Sequence, residues 1–241
     1  MKVELFALTA GVNEHAGRSP EELIIYQARV SSKRKDLYED PAKLLRWCIM
    51  QGHWSVFEMA NVTFRIETSR AIAREILRHD MSFQELSQRY AKIDTNSYEQ
   101  PEQRRQAEKN RQSSTQPMPD MSAIAQWSVE QSVSIYNTMI AEGASRETAR
   151  MVLPECMTSY LYANNNVRGW LSFLNSRLHH TSQEEMRQVA AEIRDLFMQQ
   201  FPIVTEACNG FKGADQYHVL SQVVIMANIE HMNDIKALWG K

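Results

Sequence analysis

Glycine and cysteine are both scarce in this 241-residue sequence, and each shortage removes a class of protein. The eight glycines, at positions 11, 17, 52, 143, 169, 210, 213 and 240, are too scattered to form G-x-G-x-x-G or G-x-x-x-x-G-K. A nucleotide held by this chain would therefore be gripped by arginine forks or helix N-termini rather than by a glycine nest. The three cysteines, Cys48, Cys156 and Cys208, are odd in number and never form C-x-x-C, which argues against a disulfide scaffold or a zinc ribbon. No metal site is expected. Apolar runs are short: Val223 to Ala227 falls far below a membrane span, and the start, Met-Lys-Val-Glu-Leu-Phe, lacks a signal peptide's basic and apolar regions. A cytoplasmic protein with no membrane partner is expected. Charge of one sign is also missing, since 27 Lys and Arg face 29 Asp and Glu, so no overall field draws the chain onto a nucleic acid polymer.

What is present is an ordinary globular composition, 43% hydrophobic and 23% charged. Residues 2–9 suit a strand, and 61–69 alternate Val62, Phe64 and Ile66 with polar neighbours at period two. Ser19-Pro20-Glu21-Glu22 combines an N-cap hydroxyl, a first-turn proline and a glutamate three residues on, which starts a helix. Asp40-Pro41 starts another, with Gly52 placed to end it. Further helices are expected at 69–79, from Met121 to near Gly143, and at 145–162, 166–178 and 182–200, the last introduced by a capping box at Ser182 and stopped by Pro202. Residues 93–120 read as a long polar insertion loop with a short helical piece, and 214–241 resist assignment. The thirteen methionines suit core filling.

Two clusters carry chemistry. Arg70, Arg74 and Arg78 recur every four residues, placing three guanidiniums on one helical face, and the segment 82–90 then offers Ser82, Gln84, Glu85, Ser87, Arg89 and Tyr90. That mixture of hydroxyl, amide, carboxylate and guanidinium suits a sugar, a base and a phosphate, although the stripe taken alone suits a solvated surface better. In the second cluster, Asn166 and Arg177 lie about three helical turns apart, ~16 Å, with Trp170 and Phe173 between them. This suits a long flat ligand or a buried face with polar ends.

The segment Gln84-Glu85-Leu86-Ser87-Gln88-Arg89-Tyr90, preceded by Arg78-His79, resembles the signature of the flavin-dependent thymidylate synthases. The likeness continues at Ala28-Arg29-Val30-Ser31, at Gly52-His53-Trp54-Ser55-Val56-Phe57-Glu58-Met59, at Ala149-Arg150-Met151-Val152-Leu153-Pro154, and from Asn166-Val167-Arg168 through Phe173-Leu174-Asn175-Ser176-Arg177 to Gln183 and Glu185. Five blocks in collinear order, over about residues 23–208, carry it. Two departures stand out. The signature's third residue, an arginine in the family, is Asp80, and one residue is missing before Ser87. Glu75 stands where the family usually has glutamine.

The resemblance implies an α+β fold in a single domain, an antiparallel sheet with several packed helices. It implies a homotetramer with shared active sites that binds FAD, dUMP, methylenetetrahydrofolate and NADPH and converts dUMP to dTMP. It assigns flavin contacts to Ser31, Ser55, Arg78, His79, Glu85, Asn166 and Arg168. The dUMP set becomes Glu75, Arg78, Glu85, Ser87, Gln88, Arg89, Arg150 and Arg177, with Arg177 as the catalytic group that polarises the pyrimidine. Ser87, with no histidine base nearby in sequence, suits phosphate binding better than nucleophilic attack. Asp80 would repel a flavin pyrophosphate unless the shortened loop turns it away. The same departures leave open a relative that binds a pyrimidine nucleotide without methylating it, or adds another one-carbon group to uridylate.

Overall fold

A computed structural model of the chain describes residues 1–30, 40–100, 102–110 and 113–208. Among these residues lie the strands β1 (Lys2–Leu8), β2 (Asn61–Ser69), β3 (Ser82–Glu85), β4 (Arg104–Gln106), β5 (Ser114–Pro117) and β6 (Thr158–Asn166). The helices are α1 (Pro20–Ala28), α2 (Pro41–Met50), α3 (Arg70–Ile76), α4 (Pro119–Ala141), α5 (Arg146–Ala149), α6 (Val167–Arg177), α7 (Glu184–Gln200) and α8 (Pro202–Ala207), with a 3-10 turn at Trp54–Glu58. The strands order as β1-β2-β6-β3 in one sheet and β4-β5 in another. This is the α+β class expected, antiparallel strands with packed helices.

Locally dictated elements form where the sequence places them. At α1, Ser19 Oγ accepts from Glu22 N at 3.2 Å while Glu22 Oε2 accepts from Ser19 N at 2.6 Å, the reciprocal capping box. At α2, Asp40 caps Lys43 N at 2.9 Å, and Gly52 takes φ +70° past the helix end, a conformation that costs glycine little. Strand β2 buries Val62, Phe64, Ile66 and Thr68 on one face, as its alternation requires.

Three expectations are corrected. Residues 158–162, expected to be helical, belong to β6. Pro154 interrupts the helix, and Thr158 to Ala163 then alternate, with Ser159, Leu161 and Ala163 buried while Tyr160 and Tyr162 stay half-buried. The helical piece expected within 93–120 is instead the antiparallel pair β4–β5, and Tyr98 bridges Met157. Helix α3 ends at Ile76 rather than near His79, because its apolar face runs out: Ile72, Ala73 and Ile76 are buried, but Leu77 is exposed. The tail 214–241 lies outside the described residues.

Two compact units divide the chain. Unit 1 holds Met1–Val3, Arg65–Ala163 and Thr181–Val189. Part of its core is Ile93, Tyr136, Ala149 and Met157, ringed by Tyr98, Val133, Met139 and Ile140. Unit 2 holds the described residues of Glu4–Phe64, Asn164–His180 and 190–208. Its core is aromatic. Trp170 packs edge-on against Phe64 and Phe173 at 4.8 and 5.4 Å between ring centroids, and Phe197 stacks on Phe201 at 4.7 Å.

Within unit 2, helix α8 is clamped at both ends in the sense its dipole favours. Buried Glu21 accepts from Ile203 N and Val204 N at 2.8 and 3.1 Å, and Arg46 donates to the carbonyls of Glu206 and Ala207 at 3.0 and 3.4 Å.

Candidate active site

The nucleotide candidates of unit 1 sit on short elements and turns. At the end of β3, Glu85 Oε1 accepts from Ser159 Oγ on β6 at 3.0 Å, and Leu86 N donates to Tyr160 O at 3.0 Å. The chain then turns. The Ser87 carbonyl accepts from Tyr90 N and Ala91 N at 3.1 and 3.0 Å, and the Ser87 side chain stays exposed. Gln88 goes the other way: it is buried, and its Oε1 accepts a hydrogen bond from Arg70. Its place is that of an anchor for the turn.

The expected stripe of three arginines on one helical face is broken. Arg70 is committed to Gln88, and Arg74 Nε meets Glu155 at 3.4 Å. Arg78 lies past the end of α3, exposed, with no ion pair among the described residues. Glu75 and His79 are half-buried, and Asp80 is exposed in the bend that follows.

Two segments far apart in sequence meet beyond that bend. Arg89 Nη2 lies 3.5 Å from Glu147 Oε2, and Arg146 donates in return to the Tyr90 carbonyl. Arg150 Nε donates to the Glu147 carbonyl at 3.4 Å. Arg89, Ser87 and Arg150, predicted separately from the sequence, thus sit on two stitched segments.

Unit 2 builds its candidates around the start of α6. Asn166 is the N-cap: its Oδ1 accepts from Gly169 N at 2.8 Å. With Oδ1 committed to the helix, the remaining Nδ2 group is a donor. Gly169 has no room for a side chain, since a Cβ there would lie 2.0 Å from Asn165 Nδ2. Asn165 Oδ1 is itself fixed by accepting from Asn166 N at 2.8 Å.

Arg168 occupies the first turn of α6, where a cation opposes the helix dipole. It pairs with Glu58 of the 3-10 turn, and its guanidinium lies 5.8 Å from the Trp54 ring centroid. Ser55 is exposed on that same turn. Trp170 and Phe173, which suit either a ligand face or a buried face by their spacing, are fully buried, and Trp170 Nε1 donates to Val62 O at 3.0 Å. They form the support beneath the site. Arg177 ends α6, half-buried and favoured there by the dipole. Ser31 lies outside the described residues.

Sequence reasoning missed the carboxylates that hold these arginines. Glu147 carried a weak signal, three residues before Arg150, whereas Glu155 and Glu58 lie 81 and 110 positions from their partners. It also missed Arg104. This arginine, 12% exposed, joins Glu102 and Glu184 at 3.4 and 2.7 Å and also binds Glu185. Burial alone would raise the Glu185 pKa, but hydrogen bonds from its own N–H and Gln183, together with Arg104, hold it below the usual carboxylate value. Burial raises all three thiols, Cys208 to about 12, so they are poor nucleophiles. Among the described residues, no three His, Cys, Asp or Glu side chains gather as a metal site would require.

An α+β chain that presents arginines on stitched turns and a capped, amide-bearing helix start offers the kind of donors that suit anionic groups without a glycine cradle. Its family follows from comparison: the model described as "Thymidylate synthase complementing protein" matches residues 13–203, and the chain belongs to that family. It is 42% identical over 199 residues to the flavin-dependent thymidylate synthase of Synechocystis sp., covering 78% of this chain and 89% of that one. It is 35% identical over 216 residues to a probable flavin-dependent thymidylate synthase of Paramecium bursaria Chlorella virus 1, covering 86% and 98%. Among solved structures it resembles a UMP/dUMP methylase from Streptomyces cacaoi bound with 5-Br dUMP, with a TM-score of 0.72, 25% identity, and coverage of 86% and 94%.

Proposed function

We propose that this chain is a flavin-dependent thymidylate synthase that reductively methylates dUMP to dTMP, with methylenetetrahydrofolate as carbon donor and NADPH as reductant. The observation that carries the reading is the stitching of the 87–90 turn to the 146–150 segment. It brings Ser87, Arg89 and Arg150 into one short region of unit 1, as a nucleotide phosphate requires.

Unit 2 fits a flavin. The N-cap Asn166 offers an amide donor, and Arg168 and Ser55 stand exposed, the first on α6 and the second on the turn whose Glu58 pairs with Arg168. Ser31, His79, Arg78 and Glu85 complete the proposed flavin set. FAD, when bound, supplies the hydride that turns the transferred one-carbon unit into a methyl group. The protein's own part is binding and polarisation. Arg89, Arg150 and Ser87 hold phosphate, while Glu75, Gln88, Arg78 and Glu85 complete the nucleotide's surroundings. Arg177, protonated throughout, stabilises negative charge developing on the pyrimidine.

Homotetrameric assembly is supported by the apolar side chains that α4 leaves exposed, Met121, Ile124, Trp127 and Ile135. A cytoplasmic location is supported by three free thiols, and no helix among the described residues is long and apolar enough to cross a membrane. The test is spectroscopic. Purified protein loaded with FAD is expected to show a bound-flavin visible spectrum and NADPH oxidation that dUMP stimulates, and failure to retain FAD overturns the reading. The exposed anion at Asp80 motivates a second reading, a relative that holds uridylate without methylating it or adds a different one-carbon group.

A further inference from the structure

We propose that Glu147 is a positioning residue for nucleotide phosphate, anchoring Arg89 with its side chain and Arg150 with its main chain. The proposal rests on the functional reading above and deepens it, because no signature block of the sequence includes position 147.

The geometry divides the donors of each guanidinium. Arg89 uses Nη2 toward Glu147 Oε2, at 3.5 Å, so Nε and Nη1 remain for a ligand. Arg150 uses Nε toward the Glu147 carbonyl, at 3.4 Å, so both terminal nitrogens remain. One residue thus engages both guanidiniums and leaves donors on each for a ligand. Arg146, whose side chain is bound to the Tyr90 carbonyl, ties its segment to the 87–90 turn.

The Glu147 carboxylate and the Arg89 side chain are 57% and 58% exposed, so the pair is worth little as a fold-stabilising ion pair. Its effect falls on the ligand instead. Ordering one long side chain on binding costs about 0.5–1.5 kcal/mol, and an arginine already held spares most of it. Losing that advantage weakens binding by about 2- to 12-fold. A carboxylate that merely competed with phosphate for Arg89 would have the opposite effect, since its removal would tighten binding.

The test compares Glu147→Ala, Glu147→Gln and the natural chain, each loaded with FAD, for binding of dUMP and of 2′-deoxyuridine, which lacks the phosphate. Glu147→Ala is expected to raise the Kd and KM for dUMP by about 2- to 12-fold with kcat unchanged and deoxyuridine affinity unmoved. Glu147→Gln, which keeps an acceptor for Arg89, is expected to recover part of the loss. Melting temperature, expected to stay constant, checks that α5 is intact. Unchanged or tighter dUMP binding by Glu147→Ala overturns the proposal, and so does equal weakening toward both ligands. If the natural chain itself binds no dUMP, the functional reading fails and this inference falls with it.

Discussion

The two units hold their candidate residues by different forces. In unit 1 the arginines stand on turns and short helices, and exposed carboxylates of the same unit fix them: Arg74 to Glu155, Arg89 to Glu147. In unit 2, Asn166 stands at the start of an eleven-residue helix whose underside is a buried aromatic core of Trp170, Phe173 and Phe64, and Arg168 combines that seat with a pair to Glu58. A site held by exposed ion pairs is adjustable and inexpensive to disturb. One seated on a packed helix is rigid, and its geometry is tied to the stability of the fold.

The largest break in that contrast is Trp170→Ala. It removes a fully buried indole and its bond to Val62 O, and is expected to cost about 3–5 kcal/mol in urea unfolding, with loss of FAD retention. Arg89→Ala, in unit 1, is expected to change stability by less than about 1 kcal/mol while weakening dUMP binding, measured by calorimetry. If Arg89→Ala costs as much stability as Trp170→Ala, the distinction is wrong.

Next in size is the cap. Asn166→Ala is expected to cost about 1 kcal/mol of stability and to weaken FAD binding as well. Asn166→Asp keeps the acceptor for Gly169 N and replaces the donor with a charged acceptor, so stability should hold while FAD affinity, followed by flavin fluorescence quenching, still falls. Equal FAD affinity in Asn166→Asp and the natural chain would remove Asn166 from the flavin set.

The smallest effects are pH-dependent and of opposite sign in the two units. Glu185 in unit 1 is held below the ordinary carboxylate value, so its stabilising contribution is full above that value and is lost as pH falls through its lowered folded pKa. Glu21 in unit 2 is raised, chiefly by burial, against the opposing bonds from Val204 and Ile203. Its ionisation therefore works against the fold, and that penalty disappears as pH falls from above its raised pKa toward the ordinary value. Melting-temperature profiles of Glu185→Gln and Glu21→Gln against the natural chain should differ in opposite directions near neutrality. Both differences should shrink in acid.

What the sequence discloses follows the same division. The capping box at Ser19, the period-two burial of β2 and the cap at Asn166 depend on neighbours within a few residues, so they are readable from text. Strand β6 escaped because its buried positions are small or mixed, Ser159, Leu161 and Ala163, while its tyrosines lie on the other face and imitate a helical rhythm. The β4–β5 hairpin has no apolar alternation. It is tied instead through Arg104 to Glu184 and Glu185, 80 and 81 positions away, a pairing that no local pattern announces. For the candidate site, residue types were legible through the signature blocks, but their anchors, Glu58, Glu147 and Glu155, were not. Burial of Trp170 settles the second cluster's middle as a packed face, and burial of Gln88 against Arg70 adds an anchoring part that the signature alone does not show.

The central claim is that these two sets of residues together carry methyl transfer to uridylate. It is tested most directly by incubating FAD-loaded protein with dUMP, methylenetetrahydrofolate and NADPH and determining the mass of the nucleotide product. Conversion to a species with the mass of dTMP, absent when NADPH is omitted, is the predicted result. Unchanged dUMP, or a product carrying a different one-carbon group, would contradict it.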